Sequence, residues 1–162
     1  MKTEIQNDDR ALLLRAIELS HSMIDTDVGG PFGAVIVKDG EIIAEGWNEV
    51  CGRNDPTAHA EVIAIRRACE KLGTFSLKGA TIYSSCEPCP MCLSAIYWAQ
   101  LDRIVYANTR NQAAEIGFND LFIYDEIAKT ASNRELPSKH LPLQEAETVF
   151  TTWVNKANRV KY

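Results

Sequence analysis

The chain has no run of about 18 or more apolar residues, the minimum for a membrane-crossing helix, so nothing in it reads as a span. Residues 1–10 are polar and mixed in charge. They lack the basic segment followed by an apolar one that marks a secretory signal, so the expected location is cytoplasmic. Basic charge is also short, with 17 Lys and Arg against 22 Asp and Glu and a net charge of -5. Proteins that grip polynucleotide phosphates gather Lys and Arg, so this balance argues against a nucleic-acid partner. Repeats, low-complexity tracts and linkers rich in Pro, Gly or Ser are missing as well. A length of 162 residues then suits a single domain, 1–162, with a core of its own.

Cysteine is present in a telling arrangement. Of five, Cys86, Cys89 and Cys92 fall within seven residues, apart from Cys51 and Cys69. An odd, crowded set in a chain without an export signal points to metal or catalysis before disulfides.

Helical and strand-like segments alternate. Residues 9–24 carry apolar positions at helical spacing. Phe32 to Lys38 and Glu41 to Trp47 read as strands joined at Asp39-Gly40, a strong hairpin signal. A helix is expected from about His59 to Leu72, stopped by Gly73. A third strand follows from Ala80 to Ser84. Pro88 fits the first turn of a helix through Ala99, and Arg103 to Ala107 is a fourth strand. Residues 118–127 read as partly helical. Leu143 to Ala157 places Ala146, Val149, Phe150, Trp153 and Ala157 on one face of a closing amphipathic helix. Such alternation predicts an α/β layered sheet.

Two segments carry chemistry. Pro56-Thr57-Ala58-His59-Ala60-Glu61 and Cys86-Glu87-Pro88-Cys89-Pro90-Met91-Cys92 fit the His-x-Glu and Pro-Cys-x-x-Cys signature of zinc deaminases. Cys89 and Cys92, three apart, share a face on the first helical turn, where the helix N-terminus favours thiolates. His59 adds a third ligand. Three protein ligands leave the fourth tetrahedral position for water, the layout of a catalytic zinc site. Zinc lowers the pKa of that water to about 7, and Glu61 serves as the proton shuttle. A redox pair or a structural half-site would explain Cys89 and Cys92 but not His59 and Glu61. An iron–sulfur site fails because Leu93-Ser94-Ala95-Ile96 follows in place of a further Cys-Pro. Cys86 stays outside the ligand set.

Over nearly its whole length the chain resembles the bacterial guanine deaminases of the cytidine deaminase superfamily. The resemblance rests on Gly-Gly-Pro-Phe-Gly-Ala-Val-Ile-Val at 29–37, Asn-Asp-Pro-Thr-Ala-His-Ala-Glu-Val at 54–62 and Ser-Cys-Glu-Pro-Cys-Pro-Met-Cys at 85–92. It continues through Ala-Ile-Tyr-Trp-Ala at 95–99, Ala-Ala-Glu-Ile-Gly-Phe-Asn-Asp at 113–120 and the terminal Tyr162. It implies a three-layer α/β/α sandwich with a central mixed sheet of about five strands. It also implies one zinc per subunit, and a homodimer that exchanges its C-terminal segment. By the same resemblance Phe32, Asn48, Trp98 and Asp120 contact the base, the Ala60 backbone helps hold it, and Tyr162 closes the site.

The residue types agree with a flat purine. Phe32 and Trp98 supply aromatic walls, Asn48 offers donor and acceptor, and ionised Asp120 only acceptors. Guanine presents a ring N–H and an amino group as donors, so hydrolysis of guanine to xanthine and ammonia is the expected reaction. Guanosine and, further off, tRNA adenosine remain alternative substrates, as does a non-catalytic zinc or nucleotide-binding role.

Overall fold

Lys38 and Glu41 pair across a two-residue turn in which Asp39 and Gly40 both take positive φ, 52° and 81°. Asp-Gly tolerates that geometry, and its twist matches the flanking strands. The computed structural model describes residues 2–161, with side chains from residue 9 onward. It divides into two compact units, Met1–Phe122 and Ile123–Tyr162. The first contains α1 (Lys2–Ser22), β1 (Gly33–Lys38), β2 (Glu41–Trp47), α2 (Val50–Arg53), α3 (Ala60–Leu72), β3 (Ala80–Cys86), α4 (Pro90–Trp98), β4 (Arg103–Asn108) and α5 (Arg110–Glu115). Helix α6 (Leu121–Ala128) runs from its end into the second unit, which continues with a 3-10 turn at Ala131–Asn133 and α7 (Gln144–Asn155).

The sheet order is β2-β1-β3-β4. β1 pairs antiparallel with β2 and β3, while β3 pairs parallel with β4. The mixed sheet therefore has four strands among the described residues. All four coincide with segments legible in the sequence. The expectation of about five strands came from the resemblance, and the described residues supply four of them.

Alternation along β1 and β3 makes the layers. Ala34, Ile36, Ala80 and Ile82 pack with Ala60, Ala64 and Ala68 of α3 and Ile96 of α4. Val35, Val37 and Tyr83 point the other way, onto Ala16 and Leu19 of α1. Helices thus cover both faces, giving the α/β/α sandwich, and β1 is buried along nearly its whole length. Polar clasps fix α1 across the sheet. Asp9 accepts from Tyr83 Oη at 2.8 Å and from two Arg103 nitrogens, while Arg15 donates to Glu45 at 2.7 and 3.0 Å.

Two helix boundaries differ from expectation. α1 already starts at Lys2 and ends at Ser22. In α4 it is Pro90, not Pro88, that occupies the first turn, because Cys89 is the N-cap residue. Gly73 ends α3 as expected, in a left-handed conformation at φ 63°.

Where β2 crosses the start of α3, a Cβ on Gly46 would lie 2.3 Å from the Ala60 carbonyl oxygen and 2.6 Å from the Ala64 nitrogen. Both are backbone atoms that cannot rotate away. Gly46→Ala must push the helix start off the sheet at a cost of about 1–3 kcal/mol. It should lower the melting temperature and also the zinc content of purified protein, since Ala60 adjoins His59. Unchanged values of both would show that β2 and α3 are not locked in this register.

Candidate active site

The site lies where α3 and α4 begin. His59 is the N-cap residue of α3 and Cys89 the N-cap residue of α4. His59 Nδ1 stands 3.6 Å from each of the Cys89 and Cys92 sulfurs, and the three donor atoms lie within 4.8 Å of one another. A tetrahedral zinc with Zn–S near 2.3 Å and Zn–N near 2.0 Å separates sulfur from nitrogen by about 3.6 Å. The donor set therefore fits zinc in both chemistry and spacing, and it is the single such cluster among the described residues.

Electrostatics prepare the ligands. The Cys89 thiol is held down at about 4, first by the hydrogen bond from the Cys92 thiol and further by His59. The Cys92 backbone N–H also donates to Cys89 Sγ at 3.5 Å. Cys92 is pushed up by its hydrogen bond to Cys89 and by burial. These contacts favour the thiolate at Cys89 and the proton at Cys92. Its hydrogen bond to Cys89 raises His59 despite burial. His59, Cys89 and Cys92 would hold a zinc ion whose charge offsets that of the thiolates once the proton between the sulfurs has been released.

Glu61 is buried at the second position of α3. Ser84 Oγ donates to its Oε1 at 3.1 Å, and the Cys92 thiol lies within hydrogen-bonding reach of its carboxylate. Desolvation raises its pKa, as suits a group that must both take and give a proton near neutrality. Ser84 follows Ile82 on the α3-facing side of β3, so strand alternation aims it at Glu61.

Asp120 lies just past Gly117-Phe118. Its Oδ1 is buried with no hydrogen-bond partner among the described residues. Burial raises its pKa first, and the Cys89 charge acts in the same direction. A buried acceptor left unmatched costs about 1–3 kcal/mol, so Asp120 Oδ1 is an acceptor suited to a hydrogen-bond donor.

The ring of Phe32 meets Phe118 edge to face, with centroids 4.9 Å apart. Asn48 is buried, donates its backbone N–H to the Phe32 carbonyl at 3.1 Å and accepts from Val50 N–H through Oδ1 at 3.2 Å. A Cβ on Gly29 would fall 2.2 Å from that Oδ1, so only glycine allows the close approach. Ala60 is fully buried at the first position of α3, where helix geometry leaves N–H groups without intrahelical acceptors.

Not every expected residue gathers here. Trp98 is 64% exposed at the end of α4, six residues and about 9 Å along the axis from Cys92. Tyr162 lies outside the described residues. Cys86 is kept out of the donor cluster, its thiol directed at the Thr109 carbonyl at 3.7 Å and pushed up to about 11 by burial. Two contributors escaped sequence reasoning. Phe118 was visible in its motif but without a role, and Ser84 could have been found from the strand period of β3.

Comparison with known proteins agrees with this geometry. Residues 6–108 match the family model for the cytidine and deoxycytidylate deaminase zinc-binding region. The chain is 53% identical over 150 residues to guanine deaminase of Bacillus subtilis (strain 168), covering 93% of this chain and 96% of that protein. The X-ray structure of guanine deaminase from Bacillus subtilis aligns with a TM-score of 0.92 and 52% identity, over 94% of this chain and 98% of that one. Similarity to the tRNA-specific adenosine deaminase of Aquifex aeolicus (strain VF5) is 32% over 126 residues, or 78% of this chain and 81% of that one. A structure of guanine deaminase from Nitrosomonas europaea aligns with a TM-score of 0.64 and 32% identity, covering 68% of this chain and 64% of that one.

Loading metal-free protein with zinc at neutral pH should release protons, because the Cys92 thiol must lose its proton to solvent to become a ligand. An indicator-dye titration in weak buffer measures this. Zinc uptake without acidification would mean that both sulfurs are already ionised and that the shared-proton arrangement is wrong.

Proposed function

Because the chain belongs to the cytidine and deoxycytidylate deaminase family, we propose from its site that it hydrolyses guanine to xanthine and ammonia. The observation that carries this reading is the buried, unpartnered Asp120 Oδ1 beside the ligand cluster. Guanine presents two adjacent donors, the ring N1–H and the 2-amino group, to a carboxylate that has none of its own. Adenine offers an acceptor at that ring position. The similarity to the Bacillus subtilis guanine deaminase spans 93% of this chain, beyond the zinc motifs shared with tRNA deaminases.

His59, Cys89 and Cys92 would hold one zinc, which supplies the Lewis acidity that makes water a nucleophile at neutral pH. The chain's own groups do the rest. Glu61 accepts the proton of the attacking water, places it on the ring nitrogen beside C2, and protonates the departing amine. Ser84 fixes the Glu61 oxygen for both transfers. Phe32 and Phe118 wall the base, Asn48 contributes its carboxamide, and the Ala60 N–H lies at the head of α3. Water attack at C2 and loss of the 2-amino group balance as guanine plus water giving xanthine plus ammonia.

We assign Trp98 and Tyr162 to the same pocket in a homodimer that exchanges its C-terminal segment. Two exposed surfaces support this. On α7, Val149, Phe150 and Trp153 form the apolar face expected from the sequence, and Phe150 is 77% exposed. Tyr97 and Trp98 stand exposed on α4. Exposed apolar faces of this kind mark interfaces. The free zinc-binding thiols suit a reducing, cytoplasmic setting. No helix of the described residues is long and apolar enough to cross a membrane.

Ammonia release should be seen with guanine and not with guanosine, adenosine, cytosine or cytidine. Turnover of guanosine instead would overturn the pocket assignment but leave the zinc chemistry standing. Glu61→Ala should abolish turnover and keep zinc. Exchange is tested by mixing two inactive chains, Glu61→Ala and a form ending at residue 156, after co-refolding. Activity should return in the mixture, because the intact tail of one completes the Glu61-bearing site of the other; no recovery would rule out exchange.

A further inference from the structure

Glu49 is a buried charge for which the deamination chemistry has no use. Its side chain is 8% exposed and is paired with Arg67 at 2.6 Å and with Arg53. Replacing such pairs with well-packed apolar groups is often neutral or stabilising, so stability is a weak reason for one to be present. Its surroundings suggest another reason. Arg67, on α3, donates to Glu49 Oε1 through one nitrogen and to the Glu45 carbonyl at 2.9 Å through the other. The same guanidinium stacks over the Trp47 ring, 4.4 Å from its centroid. Trp47 and Glu49 are the chain neighbours of Asn48.

We propose that Arg67 and Glu49 are positioning residues: one guanidinium grips both neighbours of Asn48 and sets its carboxamide at a fixed place relative to α3, the helix that carries Glu61. The inference rests on the reading of Asn48 as a base-contacting residue. The backbone completes the clamp. Glu49 N–H donates to the Ala58 carbonyl at 2.9 Å, one residue before His59, and the Glu49 carbonyl accepts from Arg53 N–H at 2.9 Å. Asn48 Oδ1 is turned back onto Val50 N–H at 3.2 Å. That leaves the carboxamide N–H groups as the donors available to a purine acceptor. A rigid planar fork suits this task. A lysine could pair with Glu49 but could not span Glu49, the Glu45 carbonyl and the Trp47 face together.

The clamp predicts an effect on binding and not on the chemical step, because interactions shared by ground and transition state appear in KM. The test measures kcat and KM for guanine, the inhibition constant of the guanine analogue 8-azaguanine, and zinc content. It uses Glu49→Gln, Arg67→Lys and Asn48→Ala, and each clamp variant combined with Asn48→Ala. Glu49→Gln and Arg67→Lys should each raise KM and the inhibition constant about tenfold, the size of one lost charge-assisted hydrogen bond. Zinc should stay unchanged and kcat should move little. In the Asn48→Ala background neither change should have further effect.

Equal effects in both backgrounds, or a loss confined to kcat, would make the clamp mere scaffolding and overturn the proposal. Failure of Asn48→Ala itself to raise KM would instead sink the reading of Asn48, and the clamp's role with it. If Glu49→Gln does not fold, Arg67→Lys keeps the charge opposite Glu49 and carries the test: normal KM in that variant overturns the proposal.

Discussion

Two helices begin side by side, and the N-cap residue of each belongs to the donor cluster that fits zinc. His59 caps α3 and Cys89 caps α4. A helix N-terminus carries a partial positive charge and unpaired N–H groups. Two of them converging make a place where a thiolate is favoured, and the Cys92 N–H in the first turn of α4 donates to Cys89 Sγ. The rest of the first unit serves this meeting. Alternation along β1 and β3 seats α3 and α4 on one face of the sheet, and Gly46 lets β2 approach the head of α3 closely.

The same constraint explains the division of labour between the two carboxylates. Glu61, one residue past the start of α3, is wholly surrounded by protein and has a hydrogen-bond donor in Ser84. Asp120 reaches the cluster from a separate segment after α5 and has an oxygen with no donor in the described chain. Under the proposed function the first carboxylate, already given a partner, would be the one held for proton transfer, and the second would take its donors from a purine.

Much of this was legible before any coordinates. The four strands fell on the segments read as strands in the sequence, the first two joined at Asp39-Gly40, because strand-forming runs and turn chemistry are local. The donor triangle was legible for a different reason. Zinc demands particular residue types, and helix starts impose the spacing of Cys89 and Cys92. Pro88 misled because the sequence holds two prolines at the same boundary, and only the cap geometry shows that Pro90 is the helical one. The roles of Ser84 and Phe118 and the grip of Arg67 on Trp47 and Glu49 went unassigned. Each depends on a contact between elements far apart in sequence, 18 residues for Arg67 and Glu49 and 23 for Ser84 and Glu61. Tyr162 was named from resemblance and lies outside the described residues, while the apolar face of α7 was visible as a pattern whose partner the pattern could not name.

The most direct test of the converging-caps account is X-ray absorption at the zinc edge of the fully loaded protein in solution. The account predicts two sulfur ligands near about 2.3 Å, one imidazole nitrogen near about 2.0 Å and one further light atom. A shell of three or four sulfurs would mean that Cys86 or another thiol joins the metal. It would turn an open catalytic centre into a closed structural one and contradict the account.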